Sequence, residues 1–573
     1  MKPGFLVRVC GGMLGLIVTG TAVVTRGAAE APALTGVVRS QAEGLMEGVV
    51  VIAQRSGSTA LTSVTTDEAG RFRFPRTHLR AGSYSVSMRA AGYVLPGDRP
   101  IAVEIGSKPA TLNLNLDQAT TDQLADQMTA VEWWNSMPGT DQQKDGLVRT
   151  VVNCGFCHDM TRVMRTRYTA DDFMRVIARM GTYAPDNSSA CGTKSVVRCD
   201  ATTSGRVQIQ GVARPPESMS PAQRSLAEYL ASVNLSGGRT TWAFPLKPLP
   251  RPKGRATRAI VTVYPIPRQP SLIHDHTVDQ QGNVWYGDSG WGYLGKLEPR
   301  TGTFREFKAP QTWPDPPEGR NRLIGVQDVE SDLAGKIWAV TGFLGTKMGY
   351  FDTSNEQWTS FAVSEPVWAF LPGFHTIAQT NTTWTVGGRP LKALRLNAAS
   401  GTVDASFPVG ADFCYQVARD PQDNMICNDF YGGKIIVVDA KTGRTRSFAT
   451  PTPNSGPRRG RADGVGNYWF GEFWGDRAGV LDLKTGTLKE FAFSMKYASA
   501  YAAAPDGRGD GWVSSTGSDR VMRVNPKTGE KVEYLMPVYY DARKVVVDPS
   551  SKAPTVWLAN KNLAQLIRIE PLD

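Results

Sequence analysis

A short motif, centred on tryptophan in six of its seven copies, returns along residues 282–560 and restricts the C-terminal half to a repeat architecture. Gly282-Asn283-Val284-Trp285-Tyr286-Gly287-Asp288 is the fullest copy, and Gly466-Asn467-Tyr468-Trp469-Phe470-Gly471-Glu472 is close to it. The others centre on Trp338, Trp384, Ile426, Trp512 and Trp557. Each copy leads into a second apolar run, then a turn such as Pro299-Arg300-Thr301-Gly302, then a closing run such as Phe304-Arg305-Glu306-Phe307. A unit of this length buries its faces only against its neighbours. Four strands per unit predict a seven-bladed β-propeller over 258–573. The chain ends in the third strand of its last unit, at Ile567-Arg568-Ile569. The missing outer strand is therefore expected from Ile260 to Tyr264, closing the ring and leaving no free sheet edge.

The whole chain has 573 residues, too many for one core, and the rest divides by pattern. Residues 34–117 alternate apolar and polar in short runs broken by turn residues, which predicts a small β-sandwich. Residues 118–238 change to helical spacing. Thr169 and Asp172 form a capping box before Phe173, Val176, Ile177 and Met180. Ser220-Pro221 opens a second amphipathic helix carrying Leu226, Leu230 and Val233. Residues 239–257 are proline-rich and basic and read as an exposed linker. The fold class is thus multidomain and mainly β, with one α-helical domain.

At the N-terminus, Lys2 and Arg8 precede a short apolar stretch, Val9 to Val24, which is followed by small residues near Ala31. This predicts a signal peptide over 1–31 and a periplasmic destination. No later run is long enough to hold the chain in a membrane after cleavage. Net charge is +11, but no basic cluster is interleaved with aromatics, and no nucleic-acid partner is expected.

Export makes the seven cysteines readable. Cys10 lies in the leader. Cys191 with Cys199, and Cys414 with Cys427, are expected to pair in an oxidising compartment. Cys154-Gly155-Phe156-Cys157-His158 has the spacing of c-type haem attachment: two thiols reach both vinyl groups and the adjacent imidazole binds iron. One covalent haem c is expected. For the distal iron ligand both Met180 and Met219 remain open; a methionine there would raise the reduction potential.

Three resemblances extend this reading. Leu34-Thr35-Gly36-Val37-Val38, Thr66-Asp67-Glu68-Ala69-Gly70-Arg71-Phe72-Arg73-Phe74 and Ala81-Gly82-Ser83-Tyr84 resemble the carboxypeptidase regulatory-like module, which implies a non-catalytic sandwich. Residues 118–238 resemble class I cytochromes c and the haem domains of quinohaemoprotein-type dehydrogenases. This resemblance implies haem ligation by Cys154, Cys157 and His158, with Met180 as the favoured distal ligand. The propeller repeat, with His274-Asp275-His276-Thr277-Val278-Asp279, resembles the streptogramin (virginiamycin B) lyase family. Some members of that family use a metal ion with histidine and glutamate at the ring centre.

Aligning the repeats places His274, Gln327, His375, Tyr415, Arg458 and Arg543 at the starts of the inner strands, facing a central funnel. Asp288, Asp429, Glu472, Ser515 and Asn560 follow at the ends of the second strands. His274, His375, Glu472 and Asp288 are the candidate catalytic residues. Such a funnel could hold an anionic substrate or a divalent metal. The leading expectation is a haem-dependent oxidoreductase acting on a small organic substrate, or the electron-transfer component of a periplasmic dehydrogenase, with a periplasmic electron carrier as partner. A metal-dependent lyase with an accessory haem, and a non-enzymatic binding or scaffold protein, are the alternatives.

Overall fold

The computed structural model describes residues 31–150, 154–155, 159–180, 219–269, 271–288, 292–310, 326–341, 347–362, 367–368, 382–388, 390–551, 553–561 and 563–573. The expected signal peptide (apart from Ala31), Cys157, His158, Cys191 and Cys199, which were expected to pair, and His375 lie outside the described residues.

Seven four-stranded antiparallel units follow one another in the C-terminal half, in a propeller-like arrangement. Their inner strands are Ile273–Val278, Val326–Ser331, Val367–Trp368, Cys414–Arg419, Pro457–Ala462, Ala500–Pro505 and Ala542–Val547. The repeated motif earns its conservation of shape from two physical jobs. An aspartate six residues before the tryptophan pins the turn between the first two strands. Asp279 accepts the Asn283 backbone N–H at 2.8 Å and the Trp285 indole N–H at 2.8 Å. Asp332 with Trp338 and Asp506 with Trp512 repeat the arrangement. The indole then fills the space between blades. Trp285 packs on Val326, Ile337 and Phe351 of the next unit. Gly511 lies under the Trp469 ring, where an added Cβ would come within 2.2 Å of it. Burial of each such ring is the main apolar contribution holding one blade to the next.

Each inner strand of six blades carries an irregularity. Ile273 pairs with Asp288, but the next pair is His276 with Tyr286. The same break follows Val326, Cys414, Pro457, Ala500 and Ala542. A bulge sets two residues against one and re-aims both side chains. Simple alternation of faces therefore fails at this one place.

The last blade takes its outer strand from Ala259–Pro265, which pairs antiparallel with Gln565–Pro571 as expected. The free edge is covered differently from the expectation. Ala259–Pro265 also pairs with Leu61–Thr65 of the N-terminal domain, Ile260 opposite Val64 and Val263 opposite Leu61. Blade seven and one sandwich sheet are thus a single eight-stranded sheet. Ile260 points into the sandwich core with Val51, Phe74 and Val86, while Val261 and Val263 point into the blade core. His78, in a sandwich turn, bonds Glu570 at 3.0 Å across the same junction.

The segment between them is helical: α1 Thr121–Gln127, α2 Ala130–Ser136, α3 Asp141–Val148, α4 Thr161–Met164, α5 Ala170–Met180 and α6 Pro221–Val233. Capping boxes fix the starts of α1, α2, α3 and α6. Trp133, Met160, Met164, Phe173 and Leu230 form its core, which runs on into Phe493, Met495 and Tyr497 of the propeller. The proline-rich 239–257 stretch is a strap, not a loose linker. Trp242 is buried against Trp133, and the Leu249 N–H bonds Glu132 at 2.7 Å. Cys414 and Cys427 form a disulfide within blade four, Cα to Cα 5.3 Å. Among the described residues no helix is long and apolar enough to cross a membrane.

Candidate functional site

In each blade the inner strand starts, and the second strand ends, on one face of the ring. The bulges turn pairs of side chains inward on that face. Arg459 is the hub. It donates to both oxygens of Asp275, at 2.7 and 3.0 Å, and to Asp328 at 3.0 Å. His274 bonds Asp275 at 2.8 Å through Nδ1. Lys544 lies 3.5 Å from Asp275 and 2.7 Å from Glu330, and Arg461 also bonds Glu330 at 2.8 Å. Four blades are tied together through the ring centre by these groups.

Burial opposes ionising Asp275, but Arg459, Lys544 and His274 outweigh it and hold the carboxyl well below its ordinary value. Burial and the Asp275 carboxylate push Asp328 the other way, well above. Asp328 is therefore the neutral partner of the pair. Burial and the Lys544 charge lower His276 to about 4, so its imidazole is neutral, with Nε2 2.9 Å from the Trp557 carbonyl.

His274, Asp275 and Asp328 bring three ligand-type atoms within 4.8 Å of one another. A divalent metal does not fit them well. The Arg459 guanidinium already bonds both carboxyls and Lys544 adds a second cation. The trio is arranged as an ion-pair lattice.

Beside the hub, the Arg458 guanidinium lies 4.0 Å from the Tyr501 ring centre, 4.1 Å from Phe473 and 4.4 Å from Tyr415. It donates to the Tyr415 hydroxyl at 2.6 Å. Phe430, Trp474 and the exposed Tyr431 extend these rings toward the rim. Cation–π contact of this kind fixes a charge without using a carboxylate.

The candidate residues are not gathered at one point. His274 belongs to the hub. Asp288 is held within its own blade by Arg268, Ser271 and the Leu272 N–H. Glu472 is fully buried at the end of its strand. Burial, with the Glu490 carboxylate nearby, raises Glu472 to about 9, so it keeps its proton at neutral pH. Asn560 donates to the Tyr539 carbonyl at 2.8 Å.

The helical segment docks on this same face. The Val131 N–H bonds the Gly517 carbonyl at 2.9 Å, and Asp141 accepts from Lys496 at 3.1 Å and Tyr497 at 2.5 Å. The Tyr539 hydroxyl donates to the Gly155 carbonyl at 2.9 Å. Gly155 follows Cys154, so the start of the Cys-x-x-Cys-His motif is joined to the channel rim through Tyr539 and Asn560. Cys154 is half-buried, packs against the helical core and is not in a disulfide. The cluster it packs against is apolar and rich in methionine and aromatic rings. Met160, Met164 and Met174 are buried in that cluster, and Met219 packs on its margin. Of Met180 the backbone, in the last turn of α5, is described.

Asp275, Asp328, Glu330, Arg459, Arg461, Lys544 and Tyr539 were not singled out by repeat alignment. For Asp275, Asp328, Arg459 and Lys544, repeat register points one residue short, to His274, Gln327, Arg458 and Arg543, because the bulge has no sequence signature. The doublets Arg458-Arg459 and Arg543-Lys544 were the available signal.

Residues 33–117 match the carboxypeptidase regulatory-like domain family. No curated protein matches the chain. Among solved structures, a streptogramin B lyase is 15% identical, over 56% of this chain and 100% of that one, with a TM-score of 0.47. A selenomethionine-substituted virginiamycin B lyase from Staphylococcus aureus is 14% identical, over 55% of this chain and 100% of its own, at 0.46. A catalytically inactive form of the Staphylococcus aureus enzyme with quinupristin is 15% identical over the same shares, also at 0.46.

Proposed function

We propose that the chain is a periplasmic monohaem c-type redox protein. In this reading Cys154 and Cys157 would hold haem c through thioether bonds, and His158 with Met180 would ligate its iron. The propeller mouth takes a small organic substrate, or receives the dehydrogenase that oxidises one, and a periplasmic carrier is the electron acceptor. When bound, the haem supplies one-electron transfer.

The observation that carries this reading is the Tyr539 to Gly155 hydrogen bond. It ties the haem-attachment motif to the face on which the channel groups converge. The chain's own residues then have defined work. Arg458 is buried among aromatic rings, so its charge acts below the mouth through its field and favours an anionic over a cationic substrate. The Arg459 lattice closes the channel behind it and keeps the inner strands in register. Tyr539 and Asn560 fix the motif segment against the rim.

The test is expression in a host with haem-maturation machinery. Haem absorbance that stays with the denatured chain at one equivalent, and is lost in Cys154→Ala with Cys157→Ala, supports the reading. A fully matured preparation that carries no covalent haem refutes it. Reduction of the haem band by candidate substrates or partner dehydrogenases then identifies the donor.

A second reading, a lyase at the same mouth, has Glu472 in its favour. A carboxyl raised to about 9 can donate a proton at neutral pH. It requires turnover that Glu472→Gln abolishes and Cys154→Ala leaves intact.

A further inference from the structure

Blades one and five carry the same four-position cluster at the same spacing, filled differently. In blade one the positions are Arg268, Ser271, Asp288 and Glu306. In blade five they are Thr452, Ser455, Glu472 and Glu490. The sheets place the acids alike. Asp288 pairs with Tyr293 and Glu306 with Gly295; Glu472 pairs with Arg477 and Glu490 with Gly479.

In blade one both acids are supplied with donors. Arg268 bonds Asp288 and also both oxygens of Glu306, at 2.8 and 3.0 Å. The Ser271 hydroxyl and the Leu272 N–H add to Asp288, at 3.0 and 3.3 Å, and the Tyr286 hydroxyl adds to Glu306 at 3.1 Å. One guanidinium thus serves two carboxylates at once.

Blade five lacks that supply. Thr452 stands where Arg268 does and gives its N–H and its hydroxyl to Glu490, at 2.8 and 2.6 Å. Ser455 stays near Glu472, but its hydroxyl donates to Thr450 at 3.0 Å. Phe470 replaces Tyr286 and has no hydroxyl to offer. Arg477 serves the outer acid, its Nε 3.7 Å from Glu490. Glu472 is fully buried, and neither of its carboxyl oxygens has a hydrogen-bond partner among the described residues. The other acid that faces it, Glu490, is within hydrogen-bonding reach. Two carboxyl groups in contact are both acceptors when ionised, and only a proton lets them bond.

We propose that Glu472 and Glu490 are a carboxyl–carboxylate pair sharing one proton, which takes the place of the Arg268 guanidinium of blade one and makes blade five the proton-holding station of the channel face. Burial first, then the Glu490 charge, raises Glu472 to about 9, while Thr452 and Arg477 supply donors and positive charge on the Glu490 side. Glu490 keeps 10% of its side chain exposed and is the route by which the proton exchanges with solvent. Phe473, next in the chain after Glu472, packs on Arg458, so the pair adjoins the channel cluster. The pairing holds whichever reaction the mouth performs.

The test follows protonated carboxyl groups by infrared difference spectroscopy of the full-length chain across pH. The carboxyl band that Glu472→Gln removes at pH 7 belongs to the shared proton. In Glu490→Gln, a nearly isosteric change that deletes the second charge, the same carboxyl should titrate at lower pH, holding its proton at least about tenfold less tightly. Thr452→Arg, which rebuilds the clamp of blade one, should abolish the band at pH 7. The proposal is overturned if Glu472→Gln removes no such band at pH 7. It is also overturned if the band titrates unchanged in folded Glu490→Gln, because burial alone would then hold the proton. If Glu490→Gln does not fold, persistence of the band at pH 7 in Thr452→Arg overturns it.

Discussion

The Tyr539 hydroxyl and the Gly155 carbonyl oxygen are 2.9 Å apart and hydrogen-bonded across the junction between propeller and helical segment. Tyr539 precedes the inner strand of blade seven, and its own carbonyl accepts from Asn560 at the end of the second strand. One tyrosine thus reads both the cysteine motif and the channel rim. Tyr539→Phe keeps the ring but leaves the Gly155 carbonyl without this donor. The expected loss is about 0.5–1.5 kcal/mol, the net worth of one hydrogen bond. Hydrogen exchange should rise in the peptides flanking Cys154 and stay unchanged in blades two to four. Uniform exchange, or no change near Cys154, would show that this bond does not anchor the segment.

Glu472 makes stability depend on pH in a direction unusual for a carboxylate. Its folded-state value, about 9, lies above the ordinary 4.5. The unfolded chain therefore releases this proton first, and stability falls as pH rises from about 4.5 toward 9. At pH 7 the cost is up to about 3 kcal/mol. Glu472→Gln, which cannot ionise, should match the parent in urea unfolding at pH 4 and exceed it at pH 7. Equal stability at both pH values would mean that Glu472 is ionised in the folded chain.

Asp275 and Asp328 both face Arg459, yet their substitutions should differ sharply. Asp275 carries the negative charge of the pair, against Arg459, Lys544 and His274. Asp275→Asn leaves buried cations uncompensated and should cost about 3–5 kcal/mol. Asp328 is already neutral, so Asp328→Asn removes little charge and should cost under about 1.5 kcal/mol. Thermal melts of the two variants check this. The same melts with a chelator should show no shift, because Arg459 and Lys544 balance these carboxyls without a metal. Equal losses in the two variants would place the proton elsewhere in the pair.

The repeat exposed most of the propeller because its signal is local. An aspartate, a turn and a tryptophan within seven residues leave one solution for the hairpin, and the spacing of copies sets the blades. The outer strand at Ile260 was readable for the same reason, as an apolar run with no other partner. What covers that strand was not readable. Leu61–Thr65 lies almost two hundred residues away, and nothing in either strand marks the other as its neighbour. The channel groups were half legible. Arg458 was found by register, but Arg459, the actual hub, was hidden by a bulge that only the folded backbone shows. Tyr539 sits in a connection outside the repeat, so no periodicity could single it out.

The shared sheet gives the N-terminal domain a structural task that its non-catalytic resemblance leaves open. Ala259–Pro265 is paired on both sides, with Gln565–Pro571 and with Leu61–Thr65. A chain beginning at residue 118 keeps the blade but bares the outer edge of that strand, with Ile260 stripped of the sandwich core it fills. An exposed, apolar edge recruits other edges. The truncated chain should therefore self-associate in sedimentation velocity at concentrations where the full chain does not. Thr262→Lys, which places a charge in the middle of the bared strand, should restore the slower-assembling form. A truncated chain that sediments as a well-behaved monomer would show that the blade closes adequately by itself and that the sandwich is only tethered to it.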